Sequence, residues 1–262
     1  MHDLAFVFAG FAVGLIVGLT GVGGGSLMTP LLIFFFGVKP HLAIGTDLLF
    51  AAFTKMGGSV ALARARQIDW PVVLRMAAGS VPAALATLYV LGRVGPAQPA
   101  VQHVMTLTLG AALLLTAAAT FYKAVRGGKT PQPAPGDVAE AARSRHPVLT
   151  VLFGAAIGTL VTLSSVGAGA IGVLVLMLLY PMLPLRRIVA ADIAHAVPLT
   201  LVAGLGHASI GSVDWALLLK LLAGSLPGIW LGTLLVRRAP ERLIRSLLSV
   251  LLAYAGAKLI TL

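Results

Sequence analysis

The sequence predicts an all-α, polytopic helical membrane protein. It is built from two inverted-topology repeats of five segments each, with short or broken helices at glycine-rich tips. Three observations predict this. Only 10% of the 262 residues are charged and 58% are hydrophobic, against about 25% charged in a soluble domain. The apolar residues gather into continuous runs long enough to be membrane elements. A pair of motifs, Asp-Trp and then Gly-Ser-x-Pro, occurs twice at one constant spacing.

A chain this poor in charge cannot coat a soluble fold with polar surface. In lipid every backbone N–H and C=O needs an internal partner, so spanning elements are helices or closed barrels. Barrel strands would alternate over segments of about ten residues, whereas the runs here are unbroken. The net charge of +11 fits the basic bias of cytoplasmic loops. No basic run is interleaved with aromatic residues, so nucleic acid is not expected as a partner. The chain has no cysteine, which removes disulfides, thiolate metal sites and a Cys nucleophile. It also lacks a Walker A pattern, a His-x-x-x-His pair and a Gly-x-Ser-x-Gly elbow. No metal, cofactor or enzymatic centre is therefore expected.

The apolar segments fall at residues 4–20, 26–38, 42–63, 71–92, 100–123, 148–163, 170–183, 188–207, 215–235 and 243–261. Met1-His2-Asp3 lacks a basic n-region, so the first segment reads as a retained helix and not as a cleaved signal. A full span needs about 20 residues. The second and seventh segments fall short, the first and sixth are borderline, and these pairs read either as full spans or as half-helices dipping to mid-membrane, as in many transporters. Residues 124–147, with Pro131, Pro133, Pro135 and Gly136 among charged residues, form a flexible polar linker. It divides the chain into a first repeat at 1–123 and a second at 148–262.

Lysine and arginine give the orientation. With the N-terminus outside, the inner loops hold Arg64, Arg66, Lys123, Arg126, Lys129, Arg143, Arg145, Arg186, Arg187, Arg237, Arg238 and Arg242, and the outer loops only Lys39 and Arg93. Both termini are then outside, and the linker is cytoplasmic.

Ile68-Asp69-Trp70 matches Val213-Asp214-Trp215, and Gly79-Ser80-Val81-Pro82 matches Gly224-Ser225-Leu226-Pro227. Arg75 falls on Lys220 at the same spacing. With one residue fewer, Gly14 falls on Gly158, Leu19 on Leu163, Gly23 on Gly167 and Gly25 on Gly169. An odd number of segments per half makes the second half enter from the opposite face. That topology places a substrate near the midplane where the halves meet.

The stretch Leu19 to Ser26 lies at the start of the second segment, and a weaker copy, Leu163 to Ala170, at the start of the seventh. Free N–H groups at Gly23, Gly24, Gly25 and Ser26, and at Gly167 and Gly169, would form a concave donor surface for a small anion. The following helix adds its positive dipole end. Thr20, Ser26, Ser164 and Ser165 would add hydroxyls. The competing reading is close helix packing through small residues.

The Gly-x-Gly-Gly-Gly cluster followed by Thr29-Pro30, the Ala43-Ile44-Gly45-Thr46 step, and the Asp-Trp and Gly-Ser-x-Pro pairs in both halves resemble the sulfite exporter TauE/SafE family. The resemblance covers both halves outside the linker. The second half departs from the pattern at Gly167-Ala168-Gly169 and at Ala190-Ala191-Asp192. The resemblance implies export or uptake of sulfite or small organosulfur anions across the bacterial inner membrane. Small-residue faces leave room for a homodimer, in keeping with the resemblance, and membrane lipid is the surrounding partner.

Ionisable residues inside a membrane are costly and usually functional. Lys55, near the middle of the third segment, suits an anion route, with a buried Lys–Asp pair as the equal contender. Asp47 and its repeat counterpart Asp192, with His195 one turn further on, are candidates for proton coupling. The competing readings are helix N-terminal acids and a satisfied interior histidine. Asp69 and Asp214 read as N-caps, Trp70 and Trp215 as interface anchors. Arg75 and Lys220 read as snorkelling cations or vestibule charges. Pro30, Pro82, Pro198 and Pro227 read as kinks or hinges. The function expected is secondary transport of sulfite or a related small sulfur anion by alternating access. The alternatives are an anion channel, a carrier of another organic anion and, least, an intramembrane enzyme.

Overall fold

The computed structural model describes residues 2–20, 25–126, 147–235 and 241–261. Among them the chain is helical throughout, in ten helices: α1 (His2–Thr20), α2 (Gly25–Phe36), α3 (Pro40–Arg64), α4 (Trp70–Val94), α5 (Pro99–Arg126), α6 (Pro147–Ser164), α7 (Ala170–Leu179), α8 (Leu185–Ser209), α9 (Trp215–Leu235) and α10 (Glu241–Ile260). Each expected segment coincides with one helix. Five of them, at 70–94, 99–122, 147–164, 185–209 and 215–235, are long and apolar enough to cross a bilayer. The second and seventh are short, at 12 and 10 residues. At 1.5 Å per residue they reach roughly 18 and 15 Å, against about 30 Å of hydrocarbon.

The helix starts follow local chemistry. The Asp69 carboxylate accepts the N–H of Val72 at 3.4 Å, and that of Asp214 accepts the N–H of Leu217 at 2.9 Å. Each satisfies one of the N–H groups that a helix start leaves without a partner. Both expected N-caps are thus in place. Trp70 and Trp215 follow them with matching exposure, 54% and 55%, as side chains turned to the lipid interface would have. The Asp214→Ala variant is expected to lose about 1 kcal/mol of stability. Asp214→Asn, which keeps the acceptor, is expected to lose much less. Thermal unfolding in detergent checks the difference.

The main pairings are α1 with α9, α4 with α6, α5 with α10, and α3 with α8; α4 also packs on α8 and α9 on α3. Exchanging the first five helices for the last five returns the same set. The pairings also interleave the halves. One apolar core joins α3 and α4 to α6, α7 and α8, through Leu48, Val72, Met76, Ile157, Val161 and Leu199. The other joins α1, α2 and α5 to α9 and α10, through Val13, Met28, Leu109, Leu218, Leu221 and Leu252. The two sequence repeats therefore do not fold as separate compact units. Helices α3 and α8 run between the cores.

The repeated Gly-Ser-x-Pro motif is where the interleaved helices cross most closely. A Cβ on Gly79 in α4 would land on the carbonyl of Val151 in α6, and one on Gly224 in α9 on the carbonyl of Val7 in α1. Small residues let backbones approach in this way inside a membrane. Lys220, one turn before Gly224, pairs with Asp3 of α1 at 2.5 Å. That ties down the N-terminal end of the α1–α9 pair.

Candidate functional site

The second short helix, α7, begins just after a turn that closes α6. Between α6 and α7 the backbone turns with positive φ at Ser165 (60°), Gly167 (131°) and Gly169 (135°). Glycine adopts such angles without steric cost, which is why the turn needs its two glycines. The Gly167 carbonyl accepts from the N–H of Gly172 at 3.0 Å, and the Gly169 carbonyl from that of Val173 at 3.1 Å. Among the described residues no backbone carbonyl accepts from the N–H groups of Gly167, Ala168, Gly169 or Ala170. These donors sit at the positive end of α7. Of the first glycine tip, Gly23 and Gly24 lie outside the described residues. Thr20 closes α1 and Gly25 opens α2, and Ser26 is buried in the first turn of α2.

Lys55, half-buried on α3, reaches across to this turn, and its Nζ donates to the Ala168 carbonyl at 3.1 Å. The ammonium interacts electrostatically with two acids, Asp192 on α8 and Asp47 on its own helix. Both carboxylates are buried. The Thr29 hydroxyl of α2 donates to Asp47 Oδ2. Ser165 lies toward the same carboxylate, yet Asp47 Oδ1 and Ser165 Oγ each lack a well-formed hydrogen bond. Asp192 Oδ1 lies against Gly172 of α7, where any side chain would collide with it. Its repeat counterpart Asp47 is met by the Thr29 hydroxyl of α2.

Asp47 and Asp192 are each the eighth residue of their helices. They are therefore not caps or first-turn acids, which corrects that reading. Helix α3 starts with Pro40 in its first turn and α8 follows Pro184, so both helices begin earlier than the apolar runs at 42 and 188 suggest. His195, also on α8 and fully buried, has Nε2 at 2.8 Å from Ser80 Oγ of α4. Its Nδ1 lacks a partner, so it is only partly satisfied as an interior histidine.

The structure thus gathers Lys55, Asp47, Asp192, His195, Ser165, Gly167 and Gly169 around the turn before α7. Ser164 is beside them, but its hydroxyl serves its own backbone, donating to Leu160 O at 2.6 Å and accepting from Val166 N at 3.2 Å. Sequence reasoning did not single out Thr29, Ser80 or the Ala168 carbonyl. The first two stand inside quoted motifs, Thr29-Pro30 and Gly-Ser-x-Pro, and that was the available signal. Among the described residues no three His, Cys, Asp or Glu side chains gather as metal ligands. Chemically, a cation meets a turn that carries N–H groups without a backbone acceptor and the Ser165 hydroxyl, and two acids interact with that cation.

The family description "Sulfite exporter TauE/SafE" matches residues 6–259. The chain is 34% identical over 258 residues to the "Probable membrane transporter protein YjnA" of Bacillus subtilis (strain 168), covering 98% of this chain and 100% of that protein. It is 27% identical to YdhB over 95% of this chain and 97% of the relative, and 26% identical to YunE over 99% and 98%. Both carry the same description and come from the same organism. No solved structure matches the chain.

Proposed function

We infer the function from one premise: this chain belongs to the sulfite exporter TauE/SafE family and is a multi-pass membrane transporter. On that premise it is a secondary transporter that exports sulfite or a related small sulfur-containing anion. The observation that carries the reading is the Lys55 ammonium beside the unpartnered N–H groups of residues 167–170. A small oxyanion needs a cation and several converging donors once its water is removed. Lys55 supplies the charge, the turn supplies N–H donors, and Ser165 a hydroxyl. The first tip, Thr20 to Ser26 with Gly23, Gly24 and Gly25, would close the site from the other repeat, with Ser164 and Ser165 beside it.

The repeats enter the membrane in opposite senses, and the site lies near the midplane. The helix pairings, unchanged when the halves are exchanged, support that reading, because an alternating-access carrier needs two related states. The loop charges put both termini outside the bacterial inner membrane and the 124–147 linker in the cytoplasm.

Purified protein in liposomes loaded with sulfite should give saturable efflux that external sulfite accelerates by exchange. Conductance that rises linearly without saturation would make the protein a channel. No flux from folded protein would overturn the transporter reading for this anion class.

A further inference from the structure

We propose that each anion crosses together with a proton, and that Asp47 is the residue that carries it. This rests on the anion-transport reading above. Lys55 is the cation of the site, and its interactions with Asp47 and Asp192 already use its charge. An anion that takes the ammonium as its counter-ion withdraws that charge from the carboxylates. A buried carboxylate deprived of its cation costs several kcal/mol and is neutralised instead. Taking up a proton is the direct way to neutralise it.

The geometry selects Asp47 for this role. It is fully buried, and Thr29 already donates to its Oδ2. Its Oδ1 lacks a well-formed hydrogen bond, and so does the Ser165 hydroxyl that lies toward the same carboxylate. A proton on Oδ1 turns that oxygen into a donor for Ser165 Oγ and leaves the Thr29 bond intact. Ser165 sits in the turn that also offers the anion its N–H groups, so the proton and anion sites share one element. The proton is taken up on the side from which the anion enters and released on the side where it leaves, so an inward-directed proton gradient favours uptake and net export runs down the anion's own outward gradient. No bond within the anion changes.

The titratable groups around Asp47 are few. Lys55 lies on its own helix, with His41 near that helix's start. Asp192, His195 and His207 lie on α8, with Arg186 and Arg187 at its first turn. His207 is held by the Thr162 carbonyl at 2.9 Å, and His195 by Ser80. Helices α2, α6 and α7 carry no titratable side chain. Helix α9 has Lys220, paired with Asp3. Helix α5 has His103, Lys123 and Arg126 toward its two ends.

The test uses full-length protein in liposomes with methanesulfonate as probe, because that anion has no titratable proton of its own near neutral pH. A transmembrane pH gradient of about two units, with the membrane potential clamped, should accumulate the probe roughly tenfold or more on the alkaline side. A trapped pH dye should report proton movement with it. Asp47→Asn should keep slowed downhill exchange and lose the accumulation. Thr29→Val, which spares the carboxyl, should keep the accumulation and shift its pH dependence. Downhill flux of wild-type protein that ignores the pH gradient would overturn the coupling while leaving the transporter reading intact. So would accumulation driven by a sodium gradient alone, or full accumulation by Asp47→Asn. Absence of flux for both sulfite and methanesulfonate would overturn the two together.

Discussion

Replacing Lys55 by glutamine should lower anion transport by about 100-fold or more, the size of effect expected when the cation of a buried ionic site is removed. Two losses combine. The anion loses its only cation among the groups assembled around the turn before α7, and Asp47 and Asp192 lose the positive charge between them. The Ala168 carbonyl also loses its donor, which loosens the turn that carries the N–H groups. The double variant Lys55→Gln with Asp47→Asn should recover folded yield, because one uncompensated carboxylate is gone, but not transport. Flux per folded molecule in liposomes separates the two effects. Recovery of transport in the double variant would remove Lys55 from the site and leave it a purely structural partner of the acids.

The largest stability effect should come from the crossings of α4 on α6 and of α1 on α9. A methyl group on Gly79 or on Gly224 would have to displace the opposite helix's backbone, since the atom met is a main-chain carbonyl with nowhere to rotate. Gly79→Ala and Gly224→Ala should each cost about 3 kcal/mol, the upper end for overpacking a well-packed contact. Gly57→Ala provides the internal control. It lies within α3, and a Cβ there would meet nothing within 4 Å. That substitution should stabilise by roughly 0.5–1 kcal/mol through the better helix former. Thermal unfolding in detergent should therefore move in opposite directions for the two kinds of glycine. Similar behaviour at Gly57 and Gly79 would contradict the packing account.

Much of this architecture was legible in the sequence because lipid leaves so few options. Continuous apolar runs had to be helices, and Asp69 and Asp214 marked where two of them begin. The constant spacing of Asp-Trp and Gly-Ser-x-Pro announced a repeat, and the structure gives the motif a physical role. Gly79 and Gly224 make equivalent crossings, and their partners Val151 and Val7 are themselves repeat counterparts. The interleaving of the two halves was not legible, because nothing local in α1 says that it packs on α9. Nor was the depth of Asp47 and Asp192. Hydropathy marks where side chains become apolar, and both helices begin before that point. Contacts such as Thr29 with Asp47 and Ser80 with His195 join residues far apart in sequence, so only the fold reveals them. Ser164 shows the reverse case: a hydroxyl at a promising position is used by its own helix end.

The central claim is that one small anion sits between Lys55 and the turn at residues 165–169. Selenite closely mimics sulfite, and its selenium scatters anomalously, so crystals of the protein grown with it locate the anion directly. The account predicts a selenium peak within hydrogen-bonding reach of Lys55 Nζ and of the N–H groups of residues 167–170, and its loss in Lys55→Gln. A peak elsewhere in the protein, or none at selenite concentrations that saturate competition with sulfite transport, would contradict it.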